Sequence, residues 1–476
     1  MKINLKKTKI VATLGPACKS KTAIHSLIKS GVNVFRINFS HAKNEEIISY
    51  LDVIRKLNSK YNYNVAVLAD LQGPKIRIGE LEENINLNKG DEISVNSGKS
   101  FIGNKKGIHI NYKEFPKDVK TGDQVLIDDG KYALEVVRTN NKDKTILKAL
   151  NKVCLRSRKG VNLPKTKIST PSLTAKDMKD VEFAISLEVD WIALSFVRHG
   201  KDLIELRKII EKYSNIKIPI IAKIEKPEAL DNIDNIIKNS DGIMVARGDL
   251  GIEIPSQEVP LIQKKLVYLS KKARIPVIIA TQMMESMIAN LQPTRAEVND
   301  VANSVMDGAD AVMLSAETSI GKHPSAVVSQ ISKIINSVEY SDQIIVPAEP
   351  PTIKTDRYIT KFVCYHAAKT ANEIDASSIT TMTYSGYTGF QLSSWRPHCN
   401  ILVFTSNKRI LCRLSLLWGV KAFYYNKEVS TDKTIEHINE ILVKNGYAKK
   451  GDMVINLAAM PVKSRGMVNT LRISEI

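Results

Sequence analysis

The stretch that decides the fold is Pro219–Gly251, PIIAKIEKPEALDNIDNIIKNSDGIMVARGDLG. A β-branched apolar run, Ile218–Ile221, ends in Lys223, Ile224 and Glu225. A helical segment follows, and a second apolar run, Gly242–Ala246, ends in Arg247, Gly248 and Asp249. Short, wholly apolar runs that alternate with helices read as buried parallel strands. Residues two apart on a strand share a face, so Lys223 and Glu225 point the same way. If the two strands are neighbours, two carboxylates and one ammonium converge at their C-terminal ends. That set suits a divalent cation beside a transferring phosphoryl group. An ion pair closing the strand is the ordinary alternative for one strand. The same design on two successive strands favours a site.

Outward from this unit the strand–helix alternation runs in both directions. Upstream, strands are expected at Lys9–Thr13, Val32–Phe39 and Val65–Leu71, with helices at Ala23–Lys29 and Asn44–Asn58. Between Pro74 and about Thr170 the pattern changes to short alternating segments punctuated by Gly, Asn and Asp, which reads as an inserted small β domain. The rhythm resumes with a helix at Thr174–Leu187, whose Thr174 and Asp177 form a capping pair. Strands follow at Trp191–Val197, Ile218–Glu225, Gly242–Ala246, Pro276–Thr281 and Ala311–Ser315. Three strands before the insertion and five after it give a (β/α)8 barrel over 1–73 and 171–345, close to the roughly 250 residues such barrels need. A doubly wound sheet is the alternative architecture. The cap spans 74–170. The Pro-rich Val346–Thr355 reads as a linker to a C-terminal α/β domain, 346–476, with a helix at Tyr358–Ala371 and strands at Ile379–Thr383, Ile401–Thr405, Val420–Tyr425 and Met453–Ala458.

The 476 residues exceed what one compact core accommodates, and 43% hydrophobic with 25% charged residues is ordinary for a globular protein. A formal net charge of +19 raises the question of a polyanionic partner. The lysines are spread along the chain, however, which favours a positive cleft for small phosphates and argues against nucleic acid. Cys18, Cys154, Cys364, Cys399 and Cys412 include no CxxC pair, so neither a zinc site nor a disulfide framework is expected. No membrane-length apolar run and no leader-like N-terminus is seen, and a cytoplasmic location is expected.

Active sites of such barrels lie at the C-terminal ends of the strands. Those ends carry Thr13; Arg36, Asn38, Ser40 and His41; Asp70, with Lys75 and Arg77 just beyond; Ser195 and Arg198; Lys223 and Glu225; Arg247 and Asp249; Thr281 and Gln282; Ser315 and Glu317. Cations outnumber acids, as phosphate handling requires.

The ordered motifs KIVATLGPA, VNVFRINFSH, ADLQGPKIRIG, KGVNLP, IALSFVR, AKIEKPEAL, IMVARGDLGIEI, IATQMMESM, PTRAEVNDVAN and DAVMLSAETSIGKHP make the chain resemble the pyruvate kinase family along its whole length. The resemblance implies a barrel interrupted by a cap and followed by an α/β domain. It implies phosphoryl transfer from phosphoenolpyruvate to ADP, giving ATP and pyruvate, with Mg²⁺ or Mn²⁺, and a homotetramer. By resemblance, Glu225 and Asp249 hold the divalent ion, and Lys223 stabilises the phosphoryl group. Arg36 contacts the phosphoryl group, and Gly248 with Asp249 receives the substrate carboxylate. Asn38, Phe39, Ser40, His41, Arg77 and Lys159 meet the nucleotide. Thr281 lies over the enolpyruvate, and Ser315 and Glu317 belong to the proton path. Arg295 is expected to be structural. Another Mg²⁺-dependent barrel enzyme of pyruvate or phosphoenolpyruvate, a lyase or mutase, is the alternative. A lyase needs no nucleotide site.

Two departures stand out. Family members with TKGPEIR hold K⁺ with Asn, Ser, Asp and Thr. This chain keeps Asn38, Ser40 and Asp70 but reads Leu71-Gln72-Gly73-Pro74-Lys75-Ile76-Arg77. The Lys75 ammonium could replace the ion, so K⁺-independent activity is expected. A solvent-facing Lys75 with K⁺ still bound is the alternative. In the C-terminal domain, Thr383–Thr388 keeps the outline of a phosphate-binding effector loop, and Lys463 and Arg465 could pair a phosphate. A plain strand–turn–helix without effector has nearly equal weight.

Overall fold

A computed structural model describes residues 5–164, 166–341, 350–351, 357–427, 430–460 and 467–476. Most of the linker expected at 346–355, and the 461–466 segment with Lys463 and Arg465, lie outside the described residues.

Eight parallel strands close into a barrel, which excludes the doubly wound alternative. In order they are Lys9–Thr13, Val34–Asn38, Ala66–Asp70, Trp191–Leu194, Ile220–Ile224, Gly242–Ala246, Val277–Ala280 and Ala311–Leu314. The last pairs with the first, Lys9 opposite Ala311. Each strand is shorter than or equal to the run that predicted it, because residues near the ends of those runs, Glu225, Thr281 and Ser315 among them, lie past the last paired position. The strands are apolar on both faces for a physical reason. Alternate side chains such as Val11, Leu68, Trp191, Met244 and Met313 fill the interior. Their neighbours, among them Ile10, Ile37, Ile192 and Ile279, pack outward on the helices.

The helix Ala175–Ser186 begins as expected: the Thr174 hydroxyl accepts from the Asp177 amide, and the Asp177 carboxylate accepts from the Thr174 amide at 2.9 Å. Asp177 also accepts from the Gly73 amide at 3.1 Å. One cap residue therefore fixes the point where the chain re-enters the barrel.

Between the third and fourth barrel strands lies a β-rich cap, a six-stranded sheet and a two-stranded sheet around their own apolar core. The C-terminal domain has a five-stranded sheet. Four of its strands, Ser378–Met382, Asn400–Thr405, Val420–Tyr424 and Met453–Ala458, are parallel and were anticipated. The fifth, Thr470–Glu475, runs antiparallel against Met453–Ala458 and was not. It is a half-exposed edge strand whose short, mixed pattern carries little apolar signal.

The C-terminal domain seals the bottom of the barrel. Leu416 joins the interior cluster beneath Trp191. The Trp191 indole N–H donates to the Arg413 carbonyl at 3.2 Å, and Lys9 Nζ donates to the Val420 carbonyl at 2.8 Å. All five cysteines are free thiols. No helix among the described residues is long and apolar enough to cross a membrane.

Candidate active site

The fifth and sixth barrel strands are neighbours, with Lys223 opposite Met244 and Ile224 opposite Val245. The juxtaposition on which the sequence reading depended is therefore present. Lys223 is the hub. Its Nζ lies 3.0 Å from Glu225 Oε1 on its own strand. It hydrogen-bonds Ser195 Oγ, from the end of the fourth strand, at 2.7 Å. It lies 3.1 Å from Asp70 Oδ1 and hydrogen-bonds Asp70 Oδ2 at 3.3 Å. Arg36 completes the group: Nε meets Asp70 Oδ2 at 2.6 Å, and a guanidinium N–H donates to Thr13 Oγ1 at 3.0 Å. Asn38 and Asp70 are register partners. Six side chains from five strands thus share one buried network.

Charges set one another in this space. Burial disfavours the Lys223 ammonium, but the Asp70 and Glu225 carboxylates overcome it and raise its pKa. Burial likewise opposes the Asp70 carboxylate, which Lys223 and then Arg36 hold below its usual range. Glu225 moves the other way. Burial raises its pKa, and the nearby Asp249 charge adds to that rise against Lys223. Negative charge is in excess at this one place. A divalent cation relieves such an excess.

The donor set fits Mg²⁺ of a particular kind. No group of three His, Cys, Asp or Glu side chains arranged for a metal occurs among the described residues. Mg²⁺ sheds water reluctantly and is commonly held by one or two carboxylates with substrate oxygens. Glu225 and Asp249 match that demand, and a dedicated protein cage is not needed.

Backbone strain gathers on the same face. Phe196 (φ 55°), Thr281 (φ 70°) and Gln282 (φ 54°) occupy the left-handed region just past strand ends. For a β-branched residue such as Thr281 this is a true outlier, and such strain concentrates at functional sites. The bend at Phe196 lets its amide donate to Glu225 Oε2 at 2.8 Å. Thr281 Oγ1 accepts from the Gly248 amide at 2.7 Å, and the Thr281 carbonyl accepts from Arg247 at 2.8 Å. The Gly248 N–H expected to meet a substrate carboxylate is thus occupied here by Thr281. The helix itself begins at Arg247.

The remaining candidates divide. Partial burial and then the Arg77, Lys75 and Arg36 charges lower the His41 pKa. Asn38 Oδ1 accepts from the Ser40 amide at 3.0 Å. Phe39 is buried, its carbonyl accepting from Lys176 Nζ at 2.8 Å. The Leu71 side chain is in the core, and only its carbonyl is presented, accepting from Ser195 Oγ at 2.7 Å. Lys159, on the cap, pairs with Asp128 at 2.7 Å. Glu317 is buried and accepts from the Ser315 amide at 2.7 Å and the Met284 amide at 3.2 Å.

A cleft between cap and barrel has Lys75, Arg198, Lys226 and Asp249 in its wall. Beside it lies a contact the sequence did not reveal. Lys226 Nζ pairs with Glu253 Oε1 at 2.7 Å, and the cap's Asn162 donates to the same oxygen at 2.9 Å. Three residues far apart in sequence carry no spacing signal. Only two unexpected charges beside the KIE and RGDLG motifs could have pointed to them.

Comparison with known proteins agrees with this geometry. The family model for the pyruvate kinase barrel domain matches residues 5–328, and that for the pyruvate kinase alpha/beta domain matches 361–474. A pyruvate kinase of Geobacillus stearothermophilus is 39% identical over 99% of this chain and 80% of its own. One of Mycobacterium tuberculosis is 38% identical over 98% of both. The crystal structure of a pyruvate kinase from Cryptosporidium parvum superimposes with a TM-score of 0.91 at 34% identity, over 98% of this chain and 96% of that one. The chain belongs to the pyruvate kinase family.

Proposed function

We propose that the Lys223 network is where the family's reaction takes place. The enzyme is a phosphotransferase of the pyruvate kinase type, moving a phosphoryl group between phosphoenolpyruvate and ADP. The lyase or mutase alternative is not favoured. One observation carries the assignment of the site: a buried ammonium shared by Asp70, Glu225 and Ser195 at the C-terminal end of the barrel.

Lys223 and Arg36 receive the phosphoryl oxygens. Both are pre-positioned by Asp70, so little reorganisation accompanies charge development in transfer. Because its neighbours raise its pKa, Lys223 keeps its proton and acts as a fixed charge. The proton that converts enolpyruvate to pyruvate therefore comes from elsewhere, with Thr281, Ser315 and Glu317 lining our proposed route. Glu225 and Asp249 would hold Mg²⁺, which supplies charge neutralisation and orientation of substrate oxygens when bound. Lys75, Arg77, His41 and Lys159 serve the nucleotide phosphates, with Lys159 exchanging Asp128 for phosphate as the cap, 74–170, closes over the barrel, 1–73 and 171–345.

K⁺ independence is supported by the neighbours of its would-be ligands: Asp70 already meets two cations, Arg36 and Lys223, and the Asn38 and Leu71 oxygens each accept a hydrogen bond, from the Ser40 amide and from Ser195. A cytoplasmic homotetramer, with the 346–476 domain and the Arg295 helix at its contacts, completes the reading. The test is ADP-dependent pyruvate formation from phosphoenolpyruvate, repeated for Lys223→Ala and in tetramethylammonium buffer without K⁺. Equal turnover in Lys223→Ala and the parent would overturn the site. A large K⁺ requirement in the parent would overturn the cation replacement alone.

A further inference from the structure

A second cluster of cations lies at the opposite end of the barrel, remote from the candidate active-site residues. The helix Val259–Ala273 ends there, and Arg274 follows it at φ 62°. This left-handed position is where helices usually place glycine. The residue found is an arginine, and its guanidinium lies over the Trp395 ring of the C-terminal domain, 3.4 Å from the ring centroid. Next to it is Lys271, one turn earlier, and across the interface is the buried Arg396. These three cations and one acid, Asp310, line a small cavity between barrel and C-terminal domain.

The acid is already taken. Arg396 forms ion pairs with both Asp310 oxygens at 3.0 Å, and Asp310 also accepts from the Val277 amide. The other two cations have little. Lys271 Nζ donates to the Asp307 carbonyl at 2.8 Å, and Arg274 reaches only Ser394 Oγ, at 3.4 Å. Arg396 Nε, in the cavity wall, is a buried N–H donor with no hydrogen-bond partner among the described residues. Buried donors are nearly always satisfied, so an unpaired one in a cavity wall implies an acceptor. Burial and the Arg396 charge together hold Lys271 down at about 8 and Arg274 at about 10. The cluster is short of negative charge.

We propose that this interdomain pocket binds a small tetrahedral oxyanion of the phosphate class, which bridges the barrel to the C-terminal domain. Its composition sets the class: three cations around one acid that is already engaged call for an anion that offers several acceptor oxygens at once.

The experiment labels the full-length chain with 5-fluorotryptophan and follows the Trp395 ¹⁹F resonance, assigned with Trp395→Phe, as inorganic phosphate is added. A saturable shift is expected. In Arg274→Gly, which suits the left-handed backbone, the half-saturating concentration should rise about tenfold or more, as loss of a charge-assisted contact implies. Lys271→Gln should weaken binding in the same direction. Sulfate should compete, and glycerol phosphate should bind more weakly if the pocket takes the free ion. The proposal is overturned if the Trp395 signal ignores phosphate or shifts without saturation, if both variants titrate like the parent, or if the ester binds as tightly as the ion.

Discussion

The two ends of the barrel use buried charge in opposite ways. At the top, Lys223, Arg36, Asp70 and Glu225 crowd one network, Glu225 is held above its normal pKa, and the backbone is strained at Phe196, Thr281 and Gln282. At the bottom, Arg396 and Asp310 form a two-point ion pair, and carbonyls accept from Lys9 and Lys7. In our proposal the top is completed by substrate and a divalent cation. At the bottom, by contrast, the Arg396–Asp310 pair and the Lys9 and Lys7 contacts are each complete within the protein. Charge at the top is organised for differential binding, and at the bottom for holding two domains together.

This contrast can be broken by experiment. The largest effect is expected for Lys223→Met: kcat should fall about 10²–10³-fold, the loss typical when one pre-organised electrostatic group is removed. A coupled lactate dehydrogenase assay measures it. Arg396→Met should do the converse. It leaves Asp310 buried and uncompensated, a change that costs about 3–5 kcal/mol in stability. The urea midpoint should drop while kcat of the folded enzyme stays near the parent's. A loss of kcat without loss of stability would refute the division of labour.

Glu225→Gln should lower Mn²⁺ affinity by at least about 10–100-fold, read by electron paramagnetic resonance without turnover. Lys75→Glu should lower activity in K⁺-free buffer about tenfold, equivalent to ~1.4 kcal/mol, with partial recovery on adding K⁺. No dependence of that variant on K⁺ would remove Lys75 from the cation role.

The smallest effect concerns Asp190, at the bottom. Burial pushes its carboxyl up to about 7, although the Val67 amide donates to it at 2.8 Å. A carboxyl with a raised folded pKa contributes stability that is fully present below its unfolded value and lost as pH rises through the folded one. Stability should therefore decline between the ordinary carboxylate value of 3.8 and about 7 through this group. Asp190→Asn should flatten that part of the Tm-against-pH curve.

Much of the barrel was legible because its signal is local. Runs such as Ile218–Ile221 and Gly242–Ala246 are apolar on both faces, which a barrel strand must be, and their number excludes few-stranded alternatives. The proposed site could be read by residue type: a charge ending an apolar run has no packing reason to be there. The strand Thr470–Glu475 was missed because a half-exposed edge imposes little pattern. Asn162, Lys226 and Glu253 were missed because their meeting depends on how the cap docks.

By itself the sequence determined the strand count, the insertion and the family, since periodicity and motif order are written residue by residue. Tertiary structure alone decided which charges are shared. Lys223 could have paired with Glu225 only. Closure of the barrel brought Asp70 and Ser195 within reach of the same ammonium, and dehydration there made those contacts strong enough to fix its charge.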